Sequence, residues 1–193
     1  MKTIEINGSL RTGTGKKLAK QIRKGEQVPA VIYGGDVNLS IVVTTTDLKP
    51  IVYTPNVHIV NIKIDGKVYE TILKDIQFHP VSDEILHLDF LHIFDDKKVT
   101  VALPVILTGQ SEAAKQGGKI ILITRKLRAC GFPQELPETL DVDITNLGLG
   151  KSIMVGDLKF DKVQLVDMKS TVVASAQLTR AAKGQAAEEA AKA

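Results

Sequence analysis

A histidine and a carboxylate lie two residues apart in the segment EILHLDFLH, and this pair could do several kinds of chemistry. In an extended strand His87 and Asp89 project from one face, because successive side chains alternate between the two faces. They could ligate a metal, belong to a nucleophilic triad, or hydrogen-bond to the base edges and 2′-hydroxyls of RNA. A catalytic zinc needs three protein ligands and His92 falls on the other face, while no serine has a nucleophile-elbow context. The pair therefore favours RNA binding.

The segment RTGTGKKLAKQIRKG carries a second signal, a local excess of positive charge. Residues 1–25 hold seven Lys or Arg against one acid, whereas residues 26–95 hold four against ten. On a helical wheel five cations fall within an arc of about 120°, opposite Leu18 and Ile22. These cations are Lys16, Lys17, Lys20, Arg23 and Lys24. A solvated face is one interpretation, but such faces usually include acids, and two apolar residues are too few to enter a membrane, so we expect a nucleic-acid partner.

Tyr33 follows the apolar run VPAVI and precedes a glycine pair. A tyrosine at the end of a strand can be a core residue with a satisfied hydroxyl, or it can present that hydroxyl to a ligand. Because Tyr33 is the aromatic residue closest in sequence to the basic segment, it is a candidate for RNA contact. The sequence leaves both interpretations open.

No enzyme signature accompanies these residues. The run NLGLGKS ends like a phosphate-binding loop, but Thr145 stands where that motif requires glycine, so we expect a turn between strands. The single cysteine, Cys130, has no partner for an internal disulfide or a zinc site. We therefore predict no catalytic residues, no metal and no cofactor.

Short strands must position these side chains. The first part of the chain reads as strands with one basic helix, and Asp65-Gly66 between two β-rich runs predicts a tight hairpin. After the polar run FDDKK, alternating apolar residues in VTVALPVIL and TLDVDIT predict further half-buried strands. The fold class is therefore mainly β with a few short helices.

The chain of 193 residues is long enough for two domains. We predict an N-terminal RNA-binding domain over residues 1–95, a β-rich domain over 96–178, and a mobile or weakly helical Ala-rich tail over 179–193. No apolar run has the roughly 18–20 residues of a membrane span, and MKTIEINGSL lacks the apolar stretch of a signal peptide. A soluble, cytoplasmic protein is expected.

The runs RKGEQVPAVIYGG and KDIQFHPVSDEILHLDFLH resemble the bacterial large-subunit ribosomal protein family that binds 5S ribosomal RNA. The resemblance continues through LPETLDVDITNLGLGKSIMVGDL to the closing VVAS, as in the longer members called the general stress protein Ctc type. It covers roughly residues 2–178 in the same order. The family implies an N-terminal β-barrel flanked by helices, a β-rich second domain, and binding to an internal-loop region of 5S RNA.

The resemblance also implies which residues touch RNA. Matching motifs assign that role to Arg11, Lys16, Lys20, Arg23, Lys24, Tyr33, His87 and Asp89, and Lys17 joins them by its place on the cationic arc. Two places depart from the family. Lys20 and Gln21 stand where the helix usually carries paired arginines, which favours point-charge contacts over a bidentate phosphate fork. Phe78 replaces the arginine that commonly precedes the HP pair.

The leading prediction is a non-catalytic constituent of the large ribosomal subunit that binds 5S rRNA. Its second domain is expected to face neighbouring large-subunit proteins and 23S rRNA, with no membrane partner. The alternative is an RNA-binding module that acts off the ribosome, for example on tRNA or in a stress response, since the N-terminal domain is also similar to anticodon-recognition barrels of a glutamine-specific synthetase.

Overall fold

Six strands of the first part of the chain close into a β-barrel. The computed structural model describes residues 1–35, 37–160 and 163–179. The barrel strands are β1 (Thr3–Leu10), β2 (Gln27–Gly34), β3 (Val37–Thr44), β4 (Ile59–Ile64), β5 (Lys67–Phe78) and β6 (Ile85–His92). Around the barrel they run in the order β1-β3-β2-β6-β5-β4, with β4 parallel to β1 and β6 parallel to β2. The predictions of a mainly β protein and of an N-terminal β-barrel are confirmed.

Apolar side chains from the six strands point inwards and fill the barrel. In β6, Leu88 and Phe90 are fully buried, and they pack with Ile32 of β2 and Ile62 of β4. Burial of such side chains contributes about 1.5–3 kcal/mol each, so the inward face fixes the orientation of the whole strand. The intervening residues of β6 must therefore face outwards.

The hairpin between β4 and β5 has the predicted tight turn. Asp65 has a φ of 46° and Gly66 a φ of 81°, as a two-residue primed turn requires, and Ile64 pairs with Lys67. Six pairs of residues then align β4 with β5. The tight hairpin that the Asp-Gly signal predicted is therefore confirmed.

Three α-helices occur in the described residues: α1 (Lys16–Lys24), α2 (Thr45–Val52) and α3 (Glu112–Lys115). The expectation of a single helix in the first part of the chain was wrong, because α2 was missed. It buries Leu48 and Ile51 in the barrel core although Pro50 lies inside it. A helix of eight residues with an internal proline has little signal of its own, and packing stabilises it.

The later part of the chain forms two small sheets. The strands are β7 (Val99–Thr108), β8 (Lys119–Leu122), β9 (Lys126–Gly131), β10 (Leu140–Asp143), β11 (Ser152–Met154), β12 (Gln164–Leu165) and β13 (Val172–Gln177), with a 3-10 turn at Val155–Asp157. One sheet has the order β10-β7-β9-β12 and the other β11-β13-β8. The predicted alternation in β10 is confirmed, since Leu140 and Val142 are buried while Asp141 and Asp143 are exposed.

The chain forms two compact units. The first combines residues 1–101 with 132–138, and the second combines residues 102–131 with the described residues from Thr139 onward. Apart from its first position, the predicted tail lies outside the described residues, and the predicted domain boundaries stay predictions. Over the ranges that the structure describes, no helix is long and apolar enough to cross a membrane.

Candidate nucleic-acid interface

The His87–Asp89 pair lies on the outer face of β6, as predicted. His87 Nδ1 lies 2.8 Å from Asp89 Oδ1, and the two side chains are 24% and 33% exposed. Because a carboxylate only accepts hydrogen bonds, the contact places a proton on Nδ1 and leaves Nε2 for another partner. The pair is therefore a preorganised set of polar groups on a rigid strand.

Tyr33 lies on the same outer face, one strand away. In the parallel pairing of β2 with β6, Val31 is opposite Asp89 and Tyr33 is opposite Leu91. Burial raises the pKa of the Tyr33 hydroxyl, and the negative charges of Asp89 and Asp75 raise it further. The hydroxyl therefore stays protonated at neutral pH and remains a hydrogen-bond donor beside the His87–Asp89 pair.

Arg23 ties α1 to the strand that carries this pair. Its Nε donates a hydrogen bond of 3.0 Å to the carbonyl oxygen of Leu86, the residue before His87. One donor of Arg23 on the cationic arc is thus used inside the protein. The bond occupies Nε alone, and a guanidinium has five N–H donors, so Arg23 keeps donors for a phosphate.

The other cations of α1 face the solvent. Lys16, Lys17, Lys20 and Lys24 are exposed, and α1 has no buried residue and no acid in its first turn. The side of α1 that packs on the barrel is not centred on the pair opposite the cations on the helical wheel, since Leu18 is 40% exposed while Ala19 and Ile22 are half-buried. With the contact to the barrel centred between Ala19 and Ile22, Arg23 lies about 70° around the helix axis from that centre. Its side chain is therefore within reach of β6.

Arg11 follows β1 and falls on the same row of the barrel wall as Asp89. Its main-chain N–H donates to the oxygen of Ser40, Ser40 pairs with Val31, and Val31 pairs with Asp89. Three strand spacings of about 4.8 Å separate Arg11 from Asp89 along this row. The Arg11 side chain is half-buried.

Two residues of β5 complete the face and were missed in the sequence. Asp75 is the cross-strand partner of Asp89, and Gln77 is the partner of His87. Both are exposed. Strict alternation places Asp75 on the inward side with Leu73, but a register shift at Lys74 turns it outwards. Only a break in the β5 pattern, with a carboxylate in the place of a core residue, could have indicated this.

The geometry thus joins a cationic helix to a polar strand face, and named proteins are similar to this chain over nearly its whole length. The Large ribosomal subunit protein bL25 of Porphyromonas gingivalis is 45% identical over 188 residues, covering 96% of this chain and 98% of that protein. The protein of that name from Azobacteroides pseudotrichonymphae is 48% identical over 184 residues, covering 95% and 97%. The Ribosomal L25p family model matches residues 6–90, and the model for Ribosomal protein TL5, C-terminal domain, matches residues 98–180. This chain belongs to the ribosomal L25p family.

Membership of the L25p family confirms the resemblance that the sequence motifs indicated. It also confirms that the protein is not an enzyme, since the family is one of structural ribosomal proteins. The Bacteroides thetaiotaomicron relative, 43% identical over 192 residues, carries the same name, and the match covers 97% of this chain and 98% of that protein. The similarity therefore spans both units of this L25p member.

Proposed function

We propose that this protein is a cytoplasmic constituent of the large ribosomal subunit that binds 5S rRNA through α1 and the outer face of β2, β5 and β6. The observation that carries the proposal is the hydrogen bond from Arg23 to the Leu86 oxygen. It joins the helix that can neutralise phosphates to the strand that presents His87 and Asp89. Phosphate contacts set affinity and register on RNA, and contacts to bases and 2′-hydroxyls supply specificity.

The two parts of the face have complementary roles. The exposed lysines of α1 act as point charges towards phosphates, since no acid neutralises them within the helix. His87, Asp89 and Tyr33 offer an imidazole nitrogen, a carboxylate and a hydroxyl, all suited to base edges and 2′-hydroxyls. Arg11 extends the proposed RNA-binding face along the row of residues that it shares with Asp89. The second unit has the role of contacting neighbouring large-subunit proteins and 23S rRNA.

Lysine substitutions in α1 test the electrostatic part of this proposal. We expect Lys16→Ala and Lys20→Ala each to weaken binding to 5S RNA and to an unrelated structured RNA by the same factor. Each should reduce the magnitude of the slope of log affinity against log salt concentration by about one unit, as the loss of one phosphate contact does. Titrations over a range of salt concentrations measure both quantities.

The matched control is Lys67→Ala, at the far end of β5. Lys67 is also exposed, but it lies eight residues before Asp75, about 25 Å along the strand. This variant should leave the salt slope unchanged. Slopes that fall equally for all three variants would mean that net charge, and not α1, carries the affinity.

Tyr33→Phe tests whether the tyrosine hydroxyl contacts the RNA. The ring is retained, so we expect the melting temperature to change little, while 5S affinity falls by about 0.5–1.5 kcal/mol, the value of one hydrogen bond. A purely structural Tyr33 predicts unchanged affinity for Tyr33→Phe and a large loss of folding stability for Tyr33→Ala. Melting temperature and 5S affinity, measured for both variants, distinguish the two roles.

Co-sedimentation distinguishes the ribosomal role from action off the ribosome. A ribosomal constituent should sediment with large subunits and, after crosslinking and RNA sequencing, yield 5S rRNA. Recovery of tRNA without ribosomal subunits would favour the alternative module. Action in a stress response predicts that association with large subunits changes with growth conditions.

A further inference from the structure

The β-bulge at Lys74 turns Asp75 towards the proposed RNA face. Leu73 pairs with Phe90 and packs on the barrel core, so strict alternation would direct Asp75 inwards as well. The register shift between Leu73 and Asp75 instead makes Asp75 the partner of Asp89, and Ile76 returns to the core side opposite Leu88. Bulges commonly re-aim a side chain beside a functional site.

The turned carboxylate is accommodated locally. The main-chain N–H of Ile76 donates a 2.9 Å hydrogen bond to Asp75 Oδ1, which satisfies a donor at the irregular ladder. Lys74 is directed elsewhere, because its Nζ donates to the oxygen of Thr100. The other carboxylate oxygen, Asp75 Oδ2, takes part neither in the Ile76 hydrogen bond nor in the Lys74 hydrogen bond. The Asp75 side chain that carries it is exposed.

Asp75 and Asp89 carry two negative charges on neighbouring strands, at the centre of a face whose helix is cationic. Cross-strand partners have Cα atoms about 4.5–5.5 Å apart, so the two carboxylates act together on an approaching group. A phosphate is repelled there and attracted by α1. Amino and imino groups of bases are attracted instead, since a carboxylate accepts from N–H donors such as the cytosine amino group.

We propose that Asp75 is a specificity-determining residue, which with Asp89 excludes phosphates from the strand face and accepts hydrogen bonds from N–H groups of bases. This inference rests on the proposed RNA-binding function. It explains why a protein that binds a polyanion places two carboxylates beside its cationic helix. The charge separation orients the RNA, with phosphates towards α1 and base edges towards β5 and β6.

Asp75→Asn isolates the charge of this residue. Asparagine retains an oxygen that can accept from the Ile76 N–H, so the bulge and the melting temperature should be preserved. We expect affinity for 5S RNA to fall about fivefold or more, the lower range for loss of a base-specific contact. Affinity for an unrelated structured RNA should stay equal or rise, so the ratio of the two affinities falls.

The matched control is Glu70→Gln, an exposed carboxylate on the same strand, about 15 Å from Asp75. It removes the same charge and should change both affinities by one common factor. If Asp75→Asn behaves like Glu70→Gln, with an unchanged ratio, the inference is overturned while the proposed function stands. If the wild-type full-length protein shows no preference for 5S RNA, the proposed function fails and the inference fails with it.

A second variant tests whether the role of Asp75 is purely structural. Asp75→Ala removes both the charge and the acceptor for the Ile76 N–H. A specificity role predicts that both variants lose the preference for 5S RNA, although only the alanine variant loses stability. A preference that is retained in Asp75→Asn and lost only together with stability in Asp75→Ala would assign Asp75 to the bulge alone.

Discussion

Phe90→Ala is expected to lower the free energy of unfolding by about 3–5 kcal/mol, the usual cost of removing a buried aromatic ring. Phe90 is fully buried, and its cross-strand partners are Ile32 on β2 and Leu73 on β5. The ring therefore fills the barrel at the meeting point of three strands. Denaturant unfolding of the full chain, followed by a signal of the barrel, measures the change.

The consequence for binding follows from the position of Phe90 on β6. Asp89 directly precedes Phe90, so loss of packing at Phe90 also loosens the strand that presents the polar face. Val68→Ala, on an exposed side chain of β5, is the control and should change stability by less than about 0.5 kcal/mol. A loss of under about 1 kcal/mol for Phe90→Ala would contradict the assignment of this ring to the barrel core.

The strands of the barrel could be predicted because their signals are local. The Asp65-Gly66 turn and the alternation from His87 to Phe90 depend on a few neighbouring residues, and the structure keeps both. The alternation breaks before His87, where Ile85 is buried and Leu86 is half-buried. His87 and Asp89 could be placed side by side for the same reason. A period of two makes the face of each residue readable once one buried neighbour is known.

The rest of the face could not be predicted, because it depends on pairing between distant segments. Val31 meets Asp89 only through a parallel pair, which no turn signal specifies. The outward direction of Asp75 depends on an irregularity in β5. Its cause is energetic, since an unpaired carboxylate in the barrel would cost far more than one bulge.

The orientation of α1 is a third feature that could not be predicted from the sequence. The charge pattern predicted the helix and its cations, but the docked side is set by half-buried Ala19 and Ile22, with Leu18 left exposed. Small differences in rotation decide whether a cation at the edge faces solvent or the barrel. This rotation gave Arg23 its contact with the Leu86 oxygen.

Variants of the His87–Asp89 pair should have the largest effect on recognition. We expect His87→Ala and Asp89→Ala each to cost roughly 1–3 kcal/mol of affinity for 5S RNA, as base-specific contacts do, and little for an unrelated RNA. Both side chains are partly exposed, so the barrel core should be unaffected. Titration of both RNAs, with melting temperatures as a check on folding, gives the two affinities for each variant.

The double variant adds a sharper test, because the two side chains are hydrogen-bonded at 2.8 Å. If they act as one unit, the loss for His87→Ala with Asp89→Ala should be clearly less than the sum of the single losses. Lys16→Ala combined with His87→Ala is the control, and there the losses should add, since phosphate and base contacts are independent. Equal losses on 5S and unrelated RNA for the His87 and Asp89 variants would contradict the division of the face into a part that positions the RNA and a part that reads it.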